Sequence, residues 1–496
     1  MSDIFAVMLL LLGLLNASHH VFAQSVSEAL GFDNAMISAS TSFMSAATAL
    51  ATSIAMPNTS SGTTSMMPID TTSLTSEFDV VQNMCWRWFH QSTVKNGSMY
   101  IDGGLQTFLD DGVNRGASSG STILGYNTYL IKVDLSRTFD WKTQASELAL
   151  EKTMDPDTHN IPPKVSHGVL FAGKHGDSRI WLYGGTTLWW NTSFPGFEGP
   201  TTQIYSLWSF DTVTRRWDQY DVTSESPMRP SNGLAAEAPD LGLAFYFNGQ
   251  IDSGSSQQTQ YLNSQSKLFL EGMVIVNTTS QTAVNISTDV VVGNLPRTRG
   301  AAVYIPHIGG NGILVLMGGT YKPSTSLDSQ EMASFVSMDN ITVFDVGAYL
   351  RNDSEQLWYS QNATGDIPEP RAHFCTVMAS VADGSSHNIY LKSGQGSNNV
   401  IFDDLYILSI PSFTWTKVFN GTSPRFGHTC HKVGDQMLNV GGKEYVDPAQ
   451  QMPCDWKTAG FGILNMSSLE WGSVFRSEEE FGTYVVPSKV QERIKE

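Results

Sequence analysis

Along residues 80–476, short apolar runs recur and stop at glycine. Four runs end in a glycine pair: Met99-Tyr100-Ile101-Asp102-Gly103-Gly104, Ile180-Trp181-Leu182-Tyr183-Gly184-Gly185, Ile313-Leu314-Val315-Leu316-Met317-Gly318-Gly319 and Met437-Leu438-Asn439-Val440-Gly441-Gly442. Two further copies are eroded, Ala244-Phe245-Tyr246-Phe247 before Ser253-Gly254 and Ile389-Tyr390-Leu391-Lys392 before Ser393-Gly394. Short apolar runs bounded by turn residues predict buried strands. No stretch carries the apolar period of a long amphipathic helix. Glycine at a strand end permits positive φ and close backbone approach.

After each glycine site comes a loop and a second apolar run: Asn127–Asp134, Ile204–Asp211, Met273–Asn277, Ile341–Asp345, Asp404–Ile410 and Phe461–Met466. A tryptophan then follows in every copy but the third: Trp141, Trp217, Trp358, Trp415 and Trp471. Before the glycines lies another strand, often opened by Pro-Arg, as in Pro370-Arg371-Ala372-His373 and Pro424-Arg425-Phe426-Gly427-His428. Pro296-Arg297, Pro163-Lys164 and Arg87 are looser versions. His167, His373 and His428 are read as sharing one register of this first strand.

Four strands per unit, a glycine pair after the second and a tryptophan in the fourth resemble the kelch motif. The resemblance implies an all-β chain, a six-bladed kelch-type β-propeller over residues 80–476, in which radial repetition protects the sheet edges. Its expected blades span approximately 80–145, 163–221, 230–285, 296–361, 369–419 and 423–476, the third being the least regular. Tyr484-Val485-Val486-Pro487-Ser488-Lys489-Val490 is similar to the segment after the last blade in fungal secreted and cell-surface kelch proteins. In many of those a transmembrane helix follows, whereas this sequence stops in a charged tail, 477–496, and no membrane span is expected.

Composition agrees with a β-rich reading: 15% charged residues, with 43 Gly and 12 Trp. A net charge of −18 excludes a nucleic-acid backbone as partner. Residues 1–23 read as a secretory signal peptide, with the apolar core Leu9–Leu15 and a small residue, Ala23, at the cut. Residues 24–79 are rich in Ser and Thr and read as a flexible stalk. N-glycosylation acceptors at Asn58, Asn96, Asn191, Asn277, Asn285, Asn340, Asn352, Asn362, Asn420 and Asn465 support export. The expected localisation is therefore secreted or at the extracellular surface, as a monomer.

Four cysteines allow three connectivities. On a propeller, Cys85 opens the first strand of the first blade, and Cys454 sits in a loop of the last blade on the same rim. A Cys85–Cys454 bridge is expected to close the ring, contributing roughly 4–5 kcal/mol in the chain-entropy model. A local Cys430–Cys454 bridge is the competing assignment. Cys375 and Cys430, each two residues after a histidine, are expected to be buried free thiols that point the same way.

No cofactor or metal is expected. Secreted copper-radical oxidases that resemble galactose oxidase share this architecture, and an oxidoreductase or auxiliary secretory-pathway enzyme is the alternative function. The copper ligand set is missing: His428 and His431 are three apart on a strand and face opposite ways. Asp134, Asp211, Asp345, Asp403 and Asp404 read as turn residues. The favoured function is binding of an extracellular protein or glycan through the loops that follow the glycines. Trp189, Trp190, Phe194 and Phe197 in the second loop could stack on a sugar or grip a protein, with Tyr321 and Tyr445 on the same rim. The plainer role for those aromatics is to cover the blade edge beneath a glycan on Asn191.

Overall fold

The computed structural model describes residues 79–495 apart from 109–122, 143–145, 188–205, 227, 263–265, 294, 323–332, 354–355, 445–453 and 456–459. The described residues are mostly β and form a propeller of antiparallel sheets. In chain order the sheets are Gln91–Lys95, Ser98–Asp102, Leu130–Asp134 and Glu147–Leu150; then Ser166–Phe171, Arg179–Thr186, Leu207–Asp211 and Trp217–Tyr220. Next come Leu234–Ala238, Leu243–Phe247, Met273–Asn277 and Thr282–Ile286, followed by Ala301–Ile305, Ile313–Met317, Asn340–Asp345 and Trp358–Asn362. Cys375–Ser380, His387–Gln395, Ile401–Ile410 and Thr414–Asn420 make the next sheet. Phe426–Val433, Gln436–Lys443, Phe461–Asn465 and Trp471–Gly472 make the last, extended by Met84–Trp88, which pairs with it at Arg87 and Gly442.

A closed ring of peptide groups ties the sheets together. The N–H of Phe89 donates to the Gly427 carbonyl, Gly427 to His373, His373 to Arg299, Arg299 to Asn232, Asn232 to His167, and His167 back to Phe89, all at 2.7–3.0 Å. All six residues have left-handed φ, between 55° and 66°. That conformation is uncommon for any residue but glycine and persists only where surroundings over-determine it. Two residues earlier on each strand, a second set of contacts meets the glycine pairs. Gly104 donates to Val165, Gly185 to Pro230, Gly249 to Arg297, Gly319 to Arg371 and Gly394 to Arg425. The glycine sites work because nothing larger fits: a Cβ on Gly319 would lie 2.3 Å from the Thr298 carbonyl oxygen.

Side chains fill the gaps between sheets. Trp217 packs with Tyr100 and Leu130 of the preceding sheet. Trp358 lies 5.6 Å from Phe247, and the Trp415 indole donates to the Met338 carbonyl at 3.0 Å. Each of these tryptophans therefore seals its blade against the one before it. Trp141 departs from the expected pattern. It follows a short strand, Phe139–Asp140, which pairs with Val474–Phe475 in a separate two-stranded sheet, while the outer strand of the first four-stranded sheet is Glu147–Leu150. The eroded third glycine site is Asn248-Gly249, directly after Leu243–Phe247, with φ of 52° and 104°, and not Ser253-Gly254.

The ring register corrects the reading of Cys375 and Cys430. The residue equivalent to His373 is Gly427, not His428, so Cys375 lies two residues beyond the ring and Cys430 three. That offset of one turns the two side chains toward each other across neighbouring sheets. Their sulfurs are at bonding distance, with Cα atoms 5.6 Å apart, so they are paired and not free. The Cys85 and Cys454 sulfurs are likewise at bonding distance, with Cα atoms 4.6 Å apart.

The segment expected to be a tail packs onto the propeller. Tyr484 meets the Tyr390 hydroxyl at 3.1 Å, Val490 is fully buried, and Ser488–Lys495 is helical. No helix among the described residues is long and apolar enough to cross a membrane.

Gly319→Ala, with φ of 87° and no room for a methyl group, is expected to cost about 2–4 kcal/mol, read as a lower urea midpoint. Ser393→Gly should do the reverse by about 1 kcal/mol, because Ser393 holds φ at 58° and buries an unpaired hydroxyl. Non-reducing peptide mapping should recover Cys375–Cys430, and removing that pair by double serine substitution should cost about 4 kcal/mol in the chain-entropy model.

Candidate functional site at the axial mouth

The left-handed ring turns its side chains inward, where Phe89 stacks on His167 at 4.0 Å and lies 4.9 Å from His373. The two imidazoles are 5.9 Å apart. Arg299 completes one side, and its Nη2 donates to Gln250 Oε1 at 3.3 Å. Gln250 belongs to a short hairpin, Gln250–Ile251 with Leu268–Phe269, in the connection after the third glycine site. Beside Arg299 and His373, a cavity of about 440 Å³ is lined by Phe335, Gln395, Asn398 and Asn399. Its lining comes from the loops that follow the glycines. Arg299, His373, Asn398 and Asn399 all hold positive φ, so the backbone here is fixed by its surroundings.

The mouth concentrates positive charge in an acidic chain. Burial pushes the Arg299 guanidinium down to about 10. Lys267 falls to about 8 through burial and then the neighbouring Arg299 charge, against a partial pull from Asp252. Arg297, two residues before Arg299, is buried, is likewise lowered to about 10 by desolvation, and leaves Nη1 without a hydrogen-bond partner. Burial, with Arg299 and Lys267 beside it, takes His167 to about 3, and His373 is lowered by the same causes, so both imidazoles are neutral near pH 7. Desolvated cations that repel one another would be relieved by an anionic group entering from outside.

Tyr321 sits half-buried beside this cavity, on the short strand Thr320–Tyr321 that pairs in register with Arg297 and Thr298. Trp189, Trp190, Phe194, Phe197, Tyr445, Asn58 and Asn191 lie outside the described residues. Asn96, Asn285, Asn340, Asn352, Asn362 and Asn420 are exposed. Asn277 and Asn465 are half-buried and accept turn N–H groups on their side-chain oxygens, and Asn465 also donates to Asp435 at 3.1 Å. Sequence reasoning missed Arg299 as a site residue; its signal is Pro296-Arg297 followed two positions later by a second arginine.

The recurrent aspartates divide into two groups. Asp134, Asp211 and Asp345 accept backbone N–H groups in turns, as expected. Asp403 and Asp404 are ion-pair partners instead, of Lys392 and of Arg371. Arg371 is fully buried and bidentate to Asp404, and Arg425 holds Asp455 in the same way, so the Pro-Arg arginines anchor the loop side of the last two sheets. The two histidines weighed as copper ligands face different partners. His431 meets Ser92 Oγ at 2.7 Å in the network that joins the last sheet to the first, while His428 is buried on the other face.

No family model matches the chain. It is similar to a kelch repeat-containing protein of Arthroderma benhamiae, 29% identical over 440 residues, which is 80% of this chain and 58% of that protein. This chain is a kelch-repeat homologue. Shorter stretches of the chain are similar to two Arabidopsis thaliana proteins. They match acyl-CoA-binding domain-containing protein 5 (31% over 126 residues, 25% of this chain and 17% of that one) and protein 4 (29% over 121 residues, 24% and 16%). The chain thus spans less than two thirds of the length of each of these relatives. The solved structure of YjhT aligns with 80% of this chain and 99% of its own, at 11% identity and a TM-score of 0.48.

The neutral histidines of the kelch ring carry a pH consequence. Their folded values lie below the unfolded value near 6.5, so the stability they allow is complete above about 6.5 and is lost as pH falls below it, toward about 3 for His167. His167→Asn, which keeps a residue tolerant of left-handed φ, as Asn232 is at the equivalent place, should flatten part of that loss. Urea midpoints between pH 7 and pH 4 measure it.

Proposed function

We propose that this kelch-repeat chain is a six-bladed propeller acting outside the cell as a recognition module. Its axial mouth takes an acidic group of a protein or glycan partner. The observation that carries the reading is the desolvated pair of neighbouring cations Arg299 and Lys267, with Arg299 lining a cavity of about 440 Å³, in a chain of net charge −18. Surface lysines would serve general solubility; cations withdrawn from water at the end of a central axis favour one incoming anion. The closed ring of six peptides supports the blade count. The exposed glycosylation acceptors and the two cysteine pairs support an oxidising, extracellular setting. Trp189 and Trp190, in the segment after Gly184-Gly185, are the second contact that the sequence offers.

Arrays of peptides and glycans that differ only in a carboxylate or sulfate test this. Acidic members should bind, with affinity falling as salt rises. Arg299→Asn preserves the left-handed backbone and removes the charge, and should weaken binding by roughly tenfold or more, about 1.4 kcal/mol. Trp189→Ala with Trp190→Ala should weaken it further. Equal binding of neutral and acidic members, or an Arg299→Asn protein that binds as the parent does, would overturn the reading.

A further inference from the structure

We propose that Cys375, Cys430 and His428 form a redox-gated site for a thiophilic d10 cation, Cu(I) above all. The two sulfurs and a ring nitrogen of His428 all lie within 4.8 Å of one another. His428 is only 5% exposed, and the Lys392 backbone is the hydrogen-bond partner at its ring, which leaves a ring nitrogen without one. Leaving a buried imidazole unsatisfied costs about 1–3 kcal/mol, and such a group needs an explanation. A third ligand position beside two sulfurs supplies one. The Lys392 backbone carbonyl accepts from the ring, so it can hold the N–H of one nitrogen while the other is metallated.

In the disulfide state the sulfurs are joined and the site is closed. A dithiol or phosphine reductant supplies two electrons; the S–S bond breaks, and two protons complete two thiols. The incoming cation displaces those two protons, leaving two thiolates and a neutral imidazole around it. Three donors of this softness suit trigonal Cu(I); Zn(II) would need a fourth ligand from water. A cavity of about 350 Å³ is lined by Lys392 and Asn439, which are the register partners of Cys375 and Cys430 on the adjoining strands.

The full chain is reduced with a phosphine and titrated with Cu(I) against a chromophoric chelator, with an unreduced sample alongside. One equivalent bound only after reduction, with an X-ray absorption spectrum showing two sulfurs and one nitrogen, is the expected result. A shell of sulfur alone would place the copper at Cys85 and Cys454 and overturn the proposal, as would no uptake at all. His428→Leu should weaken binding more than roughly 100-fold, beyond what loss of an outer-sphere partner causes. Unchanged affinity in that variant also overturns it. The absorption spectrum needs no variant, so the test stands even if His428→Leu misfolds.

Discussion

The ring of six hydrogen bonds running Phe89, Gly427, His373, Arg299, Asn232, His167 is the constraint on which the remaining structure rests. Each peptide in it is both donor and acceptor, and each is held left-handed. Strain of about 1–3 kcal/mol at the five non-glycine members is tolerated because every neighbour fixes the next. The conformation also sets the alternation of the strands that leave the ring. One residue beyond, the chain carries glycine at Gly168, Gly233 and Gly300 and a buried ring at His90, Phe374 and His428; at the next two positions, side chains can meet the adjoining strands. The positions of the mouth, the buried histidines and the cysteines all follow from that count.

Neighbouring sheets repeat a single contact with different chemistry. Between the last sheet and the first, Thr429, two beyond the ring, meets Ser92, three beyond it, at 2.5 Å. One interface earlier the same two places are Cys375 and Cys430, joined covalently. The seam where chain ends meet is reinforced differently. Arg425 grips Asp455, the Asp455 N–H donates to the Cys85 carbonyl at 3.2 Å, and Cys454 pairs with Cys85. Buried ion pairs of this kind add little net stability but are costly to break on one side, which favours one closed register.

Much of the fold was readable because glycine pairs and tryptophans are demanded by local geometry. Gly318-Gly319 cannot be replaced by larger residues, and Trp217, Trp358 and Trp415 fill spaces of fixed size, so the pattern survives in the residues themselves. Where another residue tolerates left-handed φ, the signal fades. Asn248 does so, which leaves Ser253-Gly254 as the more conspicuous glycine site in the third copy. The register error at His428 has the same origin, because histidine, phenylalanine, arginine, asparagine and glycine all occupy the ring and none marks it. The mouth was therefore not legible. Arg299 and His373 are adjacent only because the ring brings together residues 74 positions apart, a relation that no local pattern carries.

Closure by Met84–Trp88 has a consequence in time. The first strand of the propeller to leave the ribosome finds its partner, at Gly442, among the last. With 369 positions between Cys85 and Cys454, synthesis at roughly 5–20 residues per second leaves that strand waiting on the order of 20–70 s. Throughout that interval its hydrogen-bonding edge and Trp86 and Trp88 are without their final cover. The nascent chain is thus a long-lived open sheet edge, and its survival depends on whatever shields the N-terminal strand until the circle is complete.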